Sequence, residues 1–255
     1  MPNDPKSNAG HIRAGIGGWV YPPWRGTFYP SGLSQARELD YASRHLTAIE
    51  INGTFYNSGK PDSFRKWRDE TPEDFVFSLK GPRFVTHRSE LASAGPALDL
   101  FFSRGVLELS DKLGPILWQF APTKQFDETD FAAFLELLPK NAGSRKLRHV
   151  IEARHRSFAA PAFGELLRRH GIAVARVDDA KFPAFEEVTA DFVYLRLRCC
   201  AEEEPTGYPP EALDEWAERA KGWAAEGRDV FLYFINGAKV RAPAAAQALL
   251  QRLSA

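Results

Sequence analysis

Short apolar runs recur along the whole chain, each a few residues long and rich in branched or aromatic side chains. They are IRAGIGGW (12–19), TAIEIN (47–52), DFVFSLK (74–80), PILWQF (115–120), RHVIEAR (148–154), IAVARVD (172–178), DFVYLRLR (191–198) and DVFLYFIN (229–236). Runs of this length and composition predict buried strands. Between most of them the apolar spacing changes to that of a helix. Residues 34–46 carry Leu39, Ala42 and Leu46, and 127–140 carry Phe131, Phe134, Leu135 and Leu138 with Thr129 as the expected N-cap. The segment 160–171 has Pro161 near its start and Gly171 as its stop. Residues 209–227 align Leu213, Trp216, Ala220 and Trp223, and 242–255 form a last helix. The link 179–190 is too short and proline-broken for a helix. Eight strands alternating with about seven helices predict one (β/α)8 TIM barrel over 11–255, irregular between strands six and seven, behind a flexible tail at 1–10. A doubly wound open sheet is the alternative, and the closing strand and helix favour the barrel.

One run breaks the apolar rule. In AIEINGTFYNS (48–58), Glu50 and Asn52 share one side of the strand and Ile49 and Ile51 the other. A carboxylate is costly to bury without a partner. In a TIM barrel the working residues come from the carboxyl ends of the strands. Collected there are Glu50 and Asn52, then Lys80 with His87 in the following loop, then Gln119. Glu152, Arg154 and His155 follow, then Arg176 and Asp178, then Arg196 and Arg198, and last Asn236. Trp19, Tyr21 and Trp24 follow strand one, and Phe55 and Tyr56 follow strand two. Glu50 is expected to face a shared polar mouth and to pair there with Lys80, Arg154 or Arg196.

Two carboxylates, several cations and an aromatic rim suit a small polar or anionic ligand. Glu50 and Glu152 are the candidates for proton transfer, with His155 or His87 sharing that role and Lys80 or Arg154 holding an anionic group. The competing reading is that Glu–Arg pairs simply plug the barrel. A divalent metal on Glu50, Glu152, His155 and Asp178 is disfavoured by the nearby cations, and neither metal nor other cofactor is expected. GIGGW (15–19) is followed by VYPPW rather than a helix, which removes it as a dinucleotide loop.

Composition changes this picture little. At 26% charged and 44% hydrophobic, the chain has ordinary globular composition, and Lys plus Arg equals Asp plus Glu at 33 each. A zero balance argues against bulk adhesion to nucleic acid or membrane. No apolar run approaches the roughly 18 residues of a membrane span. The two cysteines, Cys199 and Cys200, are adjacent and give no disulfide framework. With no apolar leader in MPNDPKSNAG, a cytoplasmic protein is expected.

The motifs GGWVYPPWRGTFYP, IEINGTFY, Thr86–His87, DKLGPILWQFAP, IEARHRSF, FVYLRLR and YFIN occur in this order. Together they resemble the YecE-like family, domain of unknown function 72, over about 12–250. The resemblance implies a TIM barrel and carries a loose association with sugar isomerases. It implies site positions at Trp19, Tyr21, Trp24, Glu50, Asn52, Thr54, Phe55, Tyr56, Lys80, His87, Gln119, Glu152, Arg154, His155 and Arg196. The chain departs from the family pattern at Arg198–Cys199, where the family has a His-Gly, and at Ile235, where it has an Asn. Three functions compete. The first is acid/base chemistry, isomerase- or lyase-like, on a sugar or sugar phosphate. The second is processing of damaged DNA, with metal and steep salt dependence. The third is ligand binding without turnover.

Overall fold

In the computed structural model, which describes residues 9–56 and 59–254, eight parallel strands close into a barrel. They are β1 (Ile12–Gly17), β2 (Ala48–Ile51), β3 (Val76–Lys80), β4 (Leu113–Gln119), β5 (His149–Glu152), β6 (Ala173–Val177), β7 (Phe192–Leu197) and β8 (Asp229–Phe234). Each strand pairs with its neighbours in sequence, and β1 closes on β8 with Ile12 opposite Val230 and Ile16 opposite Phe234. The helices are α1 (Glu38–His45), α2 (Pro61–Asp69), α3 (Gly95–Ser103), α4 (Glu128–Leu137), α5 (Pro161–His170), α6 (Pro210–Ala225) and α7 (Ala242–Ser254). A single helical turn, Arg83–Thr86, precedes α3, and a two-residue hairpin at 141–146 lies between α4 and β5. The predicted barrel and its strand count stand. The expected tail at 1–10 lies mostly outside the described residues, and Gly10 is docked by its amide on the Ala224 carbonyl at 2.8 Å.

Strand alternation divides the core in two. Ile49, Ile51, Phe77, Leu79, Trp118 and Leu195 point outward and pack under the helices. Ala48, Leu117, Val150, Ala175, Tyr194, Phe231 and Tyr233 point inward and fill the barrel. Burying each large side chain contributes about 1.5–3 kcal/mol. Trp118 is held further by its indole N–H, which donates to His149 Nδ1 at 3.1 Å. At Gly15 a Cβ would lie 1.7 Å from the Ala48 carbonyl oxygen, so β1 and β2 approach as closely as they do because that residue has no side chain.

Local chemistry sets the boundaries. Strand β1 stops at Gly17, two residues before the expected end, because Gly18 turns to φ 73°. The cap of α4 is Asp127, which accepts from the Asp130 amide, and not Thr129; the helix starts at Glu128, two residues earlier than a Thr129 cap would set, and leaves the threonine inside its first turn. Gly171 ends α5 at φ 63°, as expected of a C′ glycine. Residues 179–190 form no helix. Thr189 fastens this link to the start of β6 by donating to the Ile172 carbonyl at 2.7 Å and accepting from the Val174 amide at 3.0 Å.

Candidate functional site

The carboxyl ends of the strands open into a cup of about 470 Å³. Its walls include Asn52, Phe55 and Tyr56 after β2, Lys80 and His87 after β3, and Gln119 to Pro122 after β4. Arg154 follows β5, Arg196 and Arg198 come from β7 and its end, and Ile235, Asn236 and Lys239 follow β8. A second polar groove, lined by Thr86, His87, Arg88, Ala121 and Lys124 among others, adjoins the cup across His87 and Ala121.

The floor of the cup is an ion network centred on Arg196. Glu50 points inward, as its parity with Ala48 requires, and is fully buried. Both its oxygens accept from Arg196 at 2.9 Å, and the Tyr194 hydroxyl donates to one of them at 2.7 Å. The remaining face of the Arg196 guanidinium reaches Glu152. Glu152 also accepts from Arg154 Nε at 2.6 Å and from the Gln119 amide at 2.9 Å. Glu50 therefore has its partner in Arg196, one of the three cations expected for it.

The electrostatics follow from this packing. Burial pushes the Glu152 carboxyl up, but the Arg196 and Arg154 guanidiniums outweigh it and hold the group down at about 2. The two carboxylates face three cations, Arg196, Arg154 and Lys80. Lys80 is left without an ion pair or side-chain hydrogen bond among the described residues, its ammonium 3.8 Å from the centre of the Phe55 ring. Burial, and then the charge of Arg196, lowers its pKa to about 8 against the pull of Glu50 and Glu152. His87 is lowered too, by burial and by the neighbouring Lys80.

Not every expected residue is brought to the cup. Trp24 is fully buried in a short 3-10 turn, Pro22–Trp24, where its indole N–H donates to the Lys239 carbonyl at 2.9 Å. It belongs to the core and not to an aromatic rim. Trp19 packs edge-on against Trp67 at 5.1 Å, and Tyr21 against Trp24 at the same distance, so neither lines the cup. His155 turns its Nδ1 to Ser157 and caps the 3-10 turn Arg156–Ala159. Asp178, one residue past β6, is drawn outward, where it accepts from the Tyr208 hydroxyl and the Arg198 amide. Burial raises its pKa against those donors. Arg176 also leaves the barrel, bonding Glu186 and lying 4.8 Å from the Trp223 ring. Glu50, Glu152, His155 and Asp178, the metal set weighed and disfavoured from the sequence, do not come together, and no group of three or more His, Cys, Asp or Glu suited to a metal occurs among the described residues.

Of three further contributors, Arg198 was already collected at the strand ends, whereas Lys239 and Phe182 escaped the sequence reading. Arg198 bonds Asp179 at 3.2 Å and reaches the Asn236 side-chain oxygen in the amide orientation that satisfies both ends. Lys239 lies three residues past Asn236, with its ammonium 4.8 Å from the Tyr21 ring. Phe182, in the helix-free link, stacks under both Arg154 at 4.7 Å and Arg198 at 5.2 Å. The only signal for Phe182 is an aromatic in a proline-bearing loop after a strand end.

An eight-stranded parallel barrel with a cationic cup at the carboxyl ends of its strands is the class that fold and site define. The chain belongs to the family described as "Protein of unknown function DUF72", whose model matches residues 13–255. It is similar to the UPF0759 protein YecE of Escherichia coli K12, 27% identical over 161 residues, covering 63% of this chain and 55% of that protein. The match thus spans about half the length of that relative. Among solved structures, a DUF72 protein of Thermotoga maritima superposes with TM-score 0.71 at 24% identity over 96% of this chain and 100% of that one. A DUF72 protein of Enterococcus faecalis gives 0.73 at 16% identity, with 96% of each chain covered. A xylose isomerase-like TIM barrel/4-hydroxyphenylpyruvate dioxygenase fusion protein shares the fold at TM-score 0.54 and 14% identity, covering 92% of this chain and 41% of that one. Among the described residues no helix is long and apolar enough to cross a membrane.

Proposed function

We propose that this DUF72 protein is an enzyme acting on a small anionic substrate, a sugar or sugar phosphate, by acid/base chemistry of the isomerase or lyase kind. One observation carries the reading: the two carboxylates of the cup floor are taken up by Arg196 and Arg154, so Lys80 faces the open cavity without an ion-pair partner among the described residues, beside the Arg154 and Arg198 guanidiniums that also line it. Guanidiniums in that position take a carboxylate or phosphate in a fork. The proton carrier is then better sought in Lys80, at about 8, than in Glu152, at about 2, because a general base works best with a pKa near the ambient pH. Glu50 and Glu152 serve this chemistry by fixing Arg196 and Arg154.

The test is a thermal-shift and calorimetric titration with inorganic phosphate, ribose 5-phosphate and glucose 6-phosphate, against sodium chloride at matched ionic strength. A ligand bound only by the folded state raises the melting temperature by mass action. The shift is expected to shrink in Arg154→Ala and Arg198→Ala. No shift beyond the chloride control with any of the anions sinks the proposal. Tyr56, 72% exposed at the lip of the cup, favours a second reading in which a nucleic-acid base stacks there. Competition by a short single-stranded oligonucleotide, lost in Tyr56→Ala, would support it.

A further inference from the structure

Lys80 is placed for more than proton transfer. Its backbone is pinned on both sides: the Thr54 hydroxyl donates to the Lys80 carbonyl at 2.7 Å, and the next amide, Gly81, donates to the Leu117 carbonyl at 2.8 Å. The side chain is only 9% exposed, yet it lines the cup. Two carboxylates share that mouth, and neither takes its ammonium, because Arg196 holds Glu50 and one oxygen of Glu152 while Arg154 and Gln119 hold the other. A buried amine with no carboxylate partner among the described residues, lying on an aromatic face beside other cations, is in the environment in which lysine becomes a nucleophile.

We propose that Lys80 forms an imine with an anionic aldehyde or ketone, a substrate class that narrows the anion-binding reading above and rests on it. The neutral Nζ lone pair adds to the carbonyl carbon, and the carbonyl oxygen takes up a proton to give a carbinolamine. Loss of the hydroxyl as water, with release of the second nitrogen proton, leaves the C=N bond. Protonated, this iminium draws electrons from the adjacent C–H or C–C bond, and water later returns the carbonyl and the free amine. No oxidant or reductant is consumed. The Phe55 ring, 3.8 Å from the nitrogen, would offer its face to the iminium charge. Arg154 and Arg198, on the same cup wall, would orient the anionic group. Burial keeps the amine's pKa near 8, which leaves a useful fraction of it unprotonated at neutral pH. Lys239, the other lysine of the cup, sits half-buried over Tyr21 and Trp24 and provides an internal control.

The probe is pyridoxal 5′-phosphate, an anionic aldehyde, with dephosphorylated pyridoxal as the neutral comparison. Protein is incubated with each and reduced with borohydride, and the modified lysines are mapped by peptide mass spectrometry. The expected result is selective labelling of Lys80 by the phosphorylated probe, suppressed by inorganic phosphate, weak with pyridoxal, and lost in Lys80→Arg and Lys80→Met. Circular dichroism confirms that both variants fold. Phosphate binding is measured separately by calorimetry. Phosphate binding without Lys80 labelling overturns the imine and leaves the anion pocket standing; absence of both overturns the two together. Labelling at Lys239, or spread over exposed lysines, overturns the assignment to Lys80. Equal labelling of Lys80 by both probes, unaffected by phosphate, overturns the anionic substrate class.

Discussion

Glu152→Gln isolates the ion network, because it keeps the shape of the side chain and removes its charge. Glu152 accepts from Arg196, Arg154 and Gln119. The amide would leave one acceptor oxygen and set an N–H donor against one of these donors. The magnitude follows from the carboxyl itself, which lies at about 2 in the fold against its ordinary 4.5. At about 1.4 kcal/mol per pH unit, the charge contributes on the order of 3 kcal/mol at neutral pH. This agrees with the roughly 3–5 kcal/mol lost when one member of a buried pair is removed. For a chain of this size the melting temperature should fall by about 6–12 °C. The pH dependence has a definite sign. The folded pKa lies below the unfolded one, so the contribution is complete above about 4.5 and is lost as pH falls toward about 2. The assay is urea unfolding of both proteins at pH 7 and at steps below pH 5. The two stabilities should differ most at neutral pH and converge as acid is added. An unchanged urea midpoint at pH 7, or a gap that persists undiminished to pH 3, would refute the assignment of Glu152 as a stabilising ion-pair partner.

Other expected outcomes span the rest of the molecule. Lys80→Met should raise stability at pH 7 by up to about 3 kcal/mol in urea unfolding, because an unpaired buried ammonium held near 8 instead of 10.5 is a cost in the fold. Since that cost is relieved as the lysine deprotonates, the advantage of the variant should fade as pH rises from about 8 toward 10.5. Gly15→Ala should abolish soluble expression, or lower the melting temperature more than any other single change named here, since its Cβ would strike the Ala48 carbonyl. Gly171→Ala should cost about 1 kcal/mol by chemical denaturation, the penalty of an L side chain at φ 63°. Tyr56→Ala should stay within about 0.5 kcal/mol of wild type, because the ring is largely exposed, and any change in ligand affinity then reports on the lip of the cup.

The sequence showed most clearly what alternation controls. Glu50 could be assigned to the barrel interior because it shares parity with Ala48, and the same counting brought Lys80, Gln119, Glu152 and Arg196 to the mouth. Arg176 and Asp178 share parity with Val174 on the helix-facing side and not with Ala173 and Ala175, so counting from the inward residues of β6 turns both away from the mouth, where Asp178 accepts from Tyr208. His155 lies three residues past β5 and is taken by the turn that it caps. Loop aromatics were ambiguous for a different reason. Trp24 and Tyr56 both follow strand ends, but a 3-10 turn buries the first under the Lys239 carbonyl and leaves the second exposed. Phe182 reaches two arginines from a segment with no periodicity at all, so no pattern could announce it.

The reading of Glu–Arg pairs as a barrel plug and the reading of the mouth as a working site are not rivals in this arrangement. A lysine beside two free carboxylates would be held as an ion pair, fully protonated and unable to act as base or nucleophile at neutral pH. Arg196 prevents this by taking both oxygens of Glu50 and one of Glu152, while Arg154 and Gln119 share the other oxygen of Glu152. With the carboxylates saturated, Lys80 feels the burial and the neighbouring arginine charge more than any attraction, and its basicity falls. The stability invested in the plug thus sets the state of the one lysine at the end of β3. Loosening the network should therefore raise the Lys80 pKa as well as lower the melting temperature. In Arg196→Met, with two carboxylates released, labelling of Lys80 by an aldehyde at pH 7 should fall even where the folded population is held constant. Unchanged labelling in a folded Arg196→Met protein would show that the plug and the lysine are independent.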